Sequence, residues 1–296
     1  MTWTAVSGDD RARAAAAVTT WLATLWDRRE ELTVDQELLA RCCGLLSREW
    51  AETPSAAELP ASTASDLDGG DALAGRARDP YLALLYTALS VRCGGRRDDD
   101  RELLARAAAE PALSTPPADP PVELRRVASL LAVLGVTTAL ASFRRELPSI
   151  ESLYLLDAPQ VEQTCHDLAV ATSFGTAPNA LPVAVRASLE LPLSAIALAY
   201  LRDYRLDLGC LAVRTLRYLE VGRKAIEQAA SFLLLQQQNR GCFGLLSQPG
   251  LQRLHERGAE LDLEVYLPTT FECLWTLAVV DGTSDPVHSP PAVRTP

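Results

Sequence analysis

The chain has a single lysine, Lys224, and a single methionine, and aromatic residues make up 6% of its 296 positions. No glycine-rich loop with a lysine is present to cradle a nucleotide phosphate. A Gly-x-Ser-x-Gly nucleophile elbow is also missing. No run of alternating β-branched residues is long enough to predict a strand. The longest apolar stretches, such as 191–201, fall short of the ~20 residues that a bilayer-spanning helix needs. Met1 to Asp10 has neither a basic start nor an apolar stretch behind it, so no secretory leader is expected. Positive charge is scarce too: 28 basic against 38 acidic residues leave a formal charge of -10. Such a surface repels phosphate backbones and anionic lipid, which argues against nucleic acid and membrane as partners. The seven cysteines are odd in number and irregularly spaced, as expected for reduced thiols in a cytoplasmic protein.

What is present is helical periodicity. Apolar residues make up 48% of the chain and charged ones 22%, enough to build a core and too apolar for a disordered chain. Asp9-Asp10 would cap a first helix through about Arg29, with Val18, Leu22, Leu25 and Trp26 on one face. A second starts near Val34 with Leu38, Leu39, Cys42, Leu45 and Leu46 as its stripe. Further helices are expected over 79–92, 98–110, 122–146, 149–156, 160–173, 181–203, 208–220, 223–238 and 269–280. The chain thus reads as one helical domain over 1–281, with loop insertions near 53–78 and 111–121 and a mobile tail over 282–296. Short connectors in the second half imply antiparallel helical hairpins. Trp3 and Trp21 are candidates for an exposed interface.

Residues 229–244 read Ala-Ala-Ser-Phe-Leu-Leu-Leu-Gln-Gln-Gln-Asn-Arg-Gly-Cys-Phe-Gly. This resembles the repeat of squalene-type terpenoid cyclases and their relatives, in which a helix ends in Phe-Leu and is followed by Gln, Gly and an aromatic. Phe232-Leu233, Gln237, Gly241 and Phe243 fill those places: Gln at the helix end can hydrogen-bond backbone in the following turn, Gly allows a positive φ, and the aromatic plugs between helical pairs. The segment from Tyr266 to Trp275 is similar to the closing inner helix of the same fold. The resemblance covers about the last quarter of the chain and implies an all-α, α/α toroid, paired helices around a central funnel. An irregular helical bundle is the alternative.

Several chemistries go with that fold. The Asp-x-Asp-Asp acid of alkene-protonating cyclases is absent, and so few aromatics would stabilise carbocations poorly; a terpenoid cyclase is the weakest reading. Asp98-Asp99-Asp100-Arg101-Glu102 matches a magnesium-diphosphate pattern but starts a helix, where acidic residues are favoured anyway. Prenyltransferase subunits hold zinc with Asp, Cys and His, lanthionine cyclases with two Cys and one His. Similarity to the latter rests on Cys165-His166-Asp167 and Gly241-Cys242-Phe243-Gly244, in reversed order, without the usual Trp and with Asp167 in place of Gly. It implies Cys165, His166 and Cys242 as ligands of a zinc ion that would activate a substrate thiol. Without metal, His166 would be the acid/base, with Glu162 four residues earlier on the same helix face as its orienter and Asp167 adjacent. Tyr200, Asp203, Tyr204 and Asp207 form a polar-aromatic cluster; on a continuous helix the two carboxylates would share a face and bind a cationic peptide group.

The resulting expectation is a peptide-tailoring, lanthipeptide-type cyclase that closes thioether rings by adding Cys to dehydroamino acids, with zinc or with no cofactor. Its partners would be a modified precursor peptide and a kinase or lyase of the same pathway. The rival expectation is a non-catalytic protein that binds a leader peptide or scaffolds that partner enzyme.

Overall fold

The computed structural model describes residues 7–51, 76–92, 101–115, 117, 120–134, 136, 150–175, 177–244 and 262–280. Among them the chain is all-α; the pairing of Gln237 with Phe243 is an isolated bridge. The helices are α1 (Gly8–Trp26), α2 (Val34–Ala51), α3 (Pro80–Arg92), α4 (Arg101–Ala108), the single turn α5 (Pro111–Ser114), α6 (Val122–Val133), the short α7 (Ile150–Leu153), α8 (Ala158–Ala171), α9 (Val183–Arg202), α10 (Leu206–Tyr218), α11 (Arg223–Leu235) and α12 (Leu267–Val280). A π-helical turn, Asp262–Tyr266, leads into α12.

Local chemistry sets the helix starts. Ser7, rather than the aspartates after it, caps α1: its Oγ accepts from the Asp10 amide at 3.1 Å, while Asp9 and Asp10 add favourable charge to the first turn. Thr33 and Gln36 cap α2 reciprocally, each side chain accepting from the other's amide, at 3.2 and 2.9 Å. Asp157 and Gln160 do the same for α8, with Pro159 in its first turn. The long helix expected over 122–146 runs to Val133, and the proline-rich connector holds the turn α5. The Asp-rich run at 98–100, most of the insertion at 53–78, the tail at 282–296, Trp3, His255 and His288 lie outside the described residues.

Packing divides the helices into two kinds. α10 packs on α12, α12 on α2, α2 on α3, α3 on α6, α6 on α8, and α8 on α10 again, so six helices form a closed cycle of neighbours. α1, α9 and α11 pack on members of this cycle from the side. Burial follows the division. In α8 every residue from Thr164 to Ala171 is buried, and α10 and α12 are nearly as enclosed. α1 instead buries one stripe, Ala14, Val18, Trp21, Leu22 and Leu25, at helical spacing. Trp21 is therefore a core residue, 2% exposed, and not part of an interface as its position near the N-terminus suggested. It anchors the buried stripe of an amphipathic helix.

Two helical stretches, Val183–Arg202 and Leu263–Val280, are long and apolar enough by length and composition to cross a bilayer, which exceeds the expectation from the apolar runs alone. The second is mostly buried inside the protein; α9 is largely exposed. α9 approaches α10 closely because Gly209 lacks a side chain: a Cβ there would meet the Leu201 side chain at 2.6 Å.

The Gln237–Phe243 turn joins the end of α11 to α1 and α12. The Gln237 Nε2 donates to the carbonyls of Ala14 at 2.8 Å and Gly241 at 2.9 Å, which ties the end of α11 to α1. Gly241 has φ +101°, and a Cβ on it would meet the Ala17 carbonyl oxygen at 1.9 Å. Phe243 is fully buried, and its amide donates to the Thr270 Oγ1 of α12 at 2.9 Å. The residues read as a repeat therefore do the work assigned to them: Gln binds backbone, Gly permits the turn, and the aromatic plugs between helices.

Candidate functional site

Two seams of the cycle carry polar pairings among their apolar contacts. The Arg125 guanidinium of α6 forms a buried ion pair with Asp167 of α8, and its Nε donates to the Pro120 carbonyl at 3.2 Å. Between α10 and α12, Arg214 pairs with Glu272, donates to the Thr276 Oγ1 at 3.0 Å, and lies 4.3 Å from the Trp275 ring centroid. Cys210 and Cys273 face each other across the same seam, Sγ to Sγ 3.9 Å.

His166 sits on this framework. Its side chain is 10% exposed, and its Nε2 lies 3.7 Å from the Oε1 of Glu162, one helical turn back. That is beyond hydrogen-bond length but within ionic contact once the imidazole is protonated. The Glu162 side chain is 56% exposed, so the pair links a buried imidazole to the surface. Burial pushes the His166 pKa down to about 4; the nearby Arg126 and Arg214 charges act the same way, and Glu162 opposes them without prevailing. The resting imidazole is neutral at pH 7. The Glu162 carboxyl lies below its ordinary range through its contact with His166, helped by Arg126 and Arg205.

Arg126 of α6 completes the group. Its guanidinium carbon stands 3.7 Å from the Tyr81 ring centroid of α3, a stacked cation–π contact. Its Nε is buried and meets no hydrogen-bond partner. Four helices, α3, α6, α8 and α10, thus contribute Tyr81, Arg126, Glu162, His166 and Arg214 to one electrostatic neighbourhood.

The other residues singled out in the sequence are elsewhere. Asp167 is spent on Arg125: consecutive residues on a helix point about 100° apart, so it faces the α6 seam and not the imidazole. The zinc set does not assemble. Among the described residues no three His, Cys, Asp or Glu side chains converge as a metal site would require. Cys165 is fully buried, its thiol pushed up to about 12 by burial, and its hydrogen-bond partner is Thr215 of α10. Cys242 belongs to the turn against α1, where its Sγ lies 3.7 Å from the Gln238 Oε1. These thiols are core residues.

The Tyr200–Asp207 cluster is also rearranged. α9 ends at Arg202, Asp203 caps it, and Tyr204 takes a left-handed φ of +58° that reverses the chain into α10. Asp203 and Asp207 therefore share no helix face. Each carboxylate is engaged by a neighbouring arginine, Asp203 by Arg202 at 2.9 Å and Asp207 by Arg205 at 3.0 Å. Arg205 also approaches the Tyr200 ring, 5.9 Å to its centroid, and Tyr204 packs on Phe232.

Sequence reasoning missed Tyr81, Arg126, Arg214 and Glu272. A signal was there: Arg126 and Arg214 interrupt apolar helices, and a charge in such a setting must find a partner or a ligand.

A cleft of about 670 Å³ lies apart from this group, lined by Glu190, Arg217, Glu220, Gly222, Arg223 and Glu227 among others. Compared with known protein families, curated proteins and solved structures, the chain matches none.

Proposed function

We propose that the cycle of six buried helices is the inner ring of an α/α toroid, and that the group around His166 is the acid/base site of a cytoplasmic, peptide-tailoring cyclase of the thioether-forming kind. The observation that supports this reading most is the His166–Glu162 pair. It places a neutral, buried imidazole beside a partly exposed carboxylate, on a helix held between two others of the cycle. In such an enzyme the Cys thiol of the peptide gives its proton to the His166 imidazole as its sulfur forms a C–S bond to the β-carbon of a dehydroamino acid. The carbon–carbon double bond becomes an enolate, and the imidazolium returns the proton to the α-carbon. No redox partner or leaving group is needed. A neutral imidazole can accept the proton, but one that titrates near 4 is a weak base, so this cycle requires the Glu162 contact to tighten as the imidazolium forms.

The test is cyclisation of a dehydrated, Cys-containing peptide by the purified protein, followed by loss of free thiol at constant mass. His166→Ala is expected to slow it by ~10²–10⁴-fold, the usual scale of general acid–base catalysis. Full retention of cyclisation in that variant would remove His166 from the chemistry.

A second reading is supported by the separate cleft. Its three acidic and two basic side chains, Glu190, Glu220, Glu227, Arg217 and Arg223, would suit a charged leader peptide. In that case the protein is a non-catalytic binder or scaffold for a kinase or lyase. It would alter the partner enzyme's rate and leave dehydrated peptide unchanged on its own.

A further inference from the structure

We infer that Arg126 is an anchoring residue for a carboxylate, so that the peptide taken by this site carries a free acid group, at its C-terminus or on a side chain, close to His166. The inference rests on the acid/base reading of the site and names its substrate class. Arg126 is half-buried, yet no carboxylate among the described residues reaches ion-pair distance of it. Every other arginine of the group is engaged: Arg125 by Asp167, Arg214 by Glu272, Arg205 by Asp207. Contact with the Tyr81 ring, 3.7 Å from guanidinium carbon to centroid, holds the Arg126 head group in place, and a planar fork so held is suited to bidentate recognition of a carboxylate. The Nε is enclosed and unmet, so a carboxylate would be taken by the two terminal nitrogens, which are not enclosed and have no partner among the described residues either.

Glu162 limits how tightly such a group can bind. It feels Arg126 electrostatically but stays beyond ion-pair distance, with its side chain more than half exposed. A carboxylate arriving at Arg126 would therefore bind against partial repulsion from Glu162, which points to a weak subsite that contributes orientation. With the acid group held beside His166, the reacting part of the peptide is confined to the neighbourhood of the imidazole.

Calorimetric titration of the full chain tests this with four probes: tri-alanine as the free acid, tri-alanine amide, N-acetyl-glutamic acid α-amide and acetate. The free acid, the glutamate side chain, or both are expected to bind, and the amide to bind at least tenfold more weakly. Which of the two acids binds better distinguishes a C-terminal from a side-chain carboxylate. Arg126→Gln should weaken acid binding at least tenfold, Arg126→Lys should restore part of it, and Glu162→Gln should tighten it. Circular dichroism and the thermal midpoint establish that each variant is folded. Equal binding of acid and amide, undiminished binding in Arg126→Gln, or no binding of any peptide acid at tens of millimolar overturns the assignment; acetate alone binding overturns it as well. If acids bind through Arg126 but no thioether forms, the subsite stands and the cyclase reading falls.

Discussion

The stretch from Glu162 to Asp167 and the corner from Tyr200 to Asp207 contain the same kinds of residue, carboxylates beside rings, and look equally suited to chemistry in the sequence. Their surroundings separate them. α8 is held between α6 and α10, so each polar side chain on it meets a defined partner: Asp167 an arginine, Cys165 a threonine, His166 a carboxylate one turn away. At the corner the helix has already ended, and its carboxylates fold back on arginines one or two residues away in solvent. Buried charge forces partnership, whereas exposed charge pairs locally and is worth little.

That contrast can be broken most directly at Asp167. Asp167→Ala leaves Arg125 buried without its counter-ion and should cost about 3–5 kcal/mol in denaturant unfolding. Replacing Arg125 and Asp167 together by Met and Leu should recover most of that loss.

Acid comes next. A group whose folded pKa lies below its unfolded one favours the native state while it is deprotonated, which for histidine is the neutral form and for glutamate the charged one. Stability linked to His166 is therefore fully present above about pH 6.5 and is lost as pH falls toward about 4. The size of that shift corresponds to about 3 kcal/mol. His166→Gln should flatten the pH dependence over this window, provided stability is measured by denaturant at each pH. Glu162, also held below its ordinary range, acts in the same direction at the lower end of the window.

A comparable effect is expected at the turn that ties α11 to α1. Gly241→Ala puts a Cβ 1.9 Å from the Ala17 carbonyl oxygen in a left-handed conformation, and overlap and strain together should cost roughly 2–4 kcal/mol, spread by any shift of the turn. The smallest effect belongs to the exposed corner. Asp203→Ala and Asp207→Ala should leave the thermal midpoint unmoved within error. A large loss from either would show that the corner is structural and that the contrast drawn here is wrong.

How much of this was legible in the sequence follows from the kind of signal each residue carried. Helix periodicity located most helices to within a few residues, because it is a local property. The Gln237, Gly241 and Phe243 roles were legible as a turn pattern, since each residue type is chosen for a backbone need. The i, i+4 spacing put Glu162 beside His166 for the same reason. Spacing failed at Asp203 and Asp207 because a tyrosine, which rarely takes positive φ, ends the helical register there. It failed again for Cys165 and Cys242, which look alike as motifs but belong to different seams of the fold. The contacts of Arg126 with Tyr81 and of Arg214 with Glu272 join distant segments of the chain, and no local pattern encodes them.

His166 is a buried, neutral imidazole within the closed helix cycle, and its titration reads this directly. The chain has three histidines, so an imidazole-labelled sample with His166→Gln as the assignment control yields a resolved nuclear magnetic resonance curve for it. The structure predicts a midpoint near 4 for His166. A midpoint at the ordinary histidine value of about 6.5 would mean that the imidazole is solvated, and would contradict the site as described.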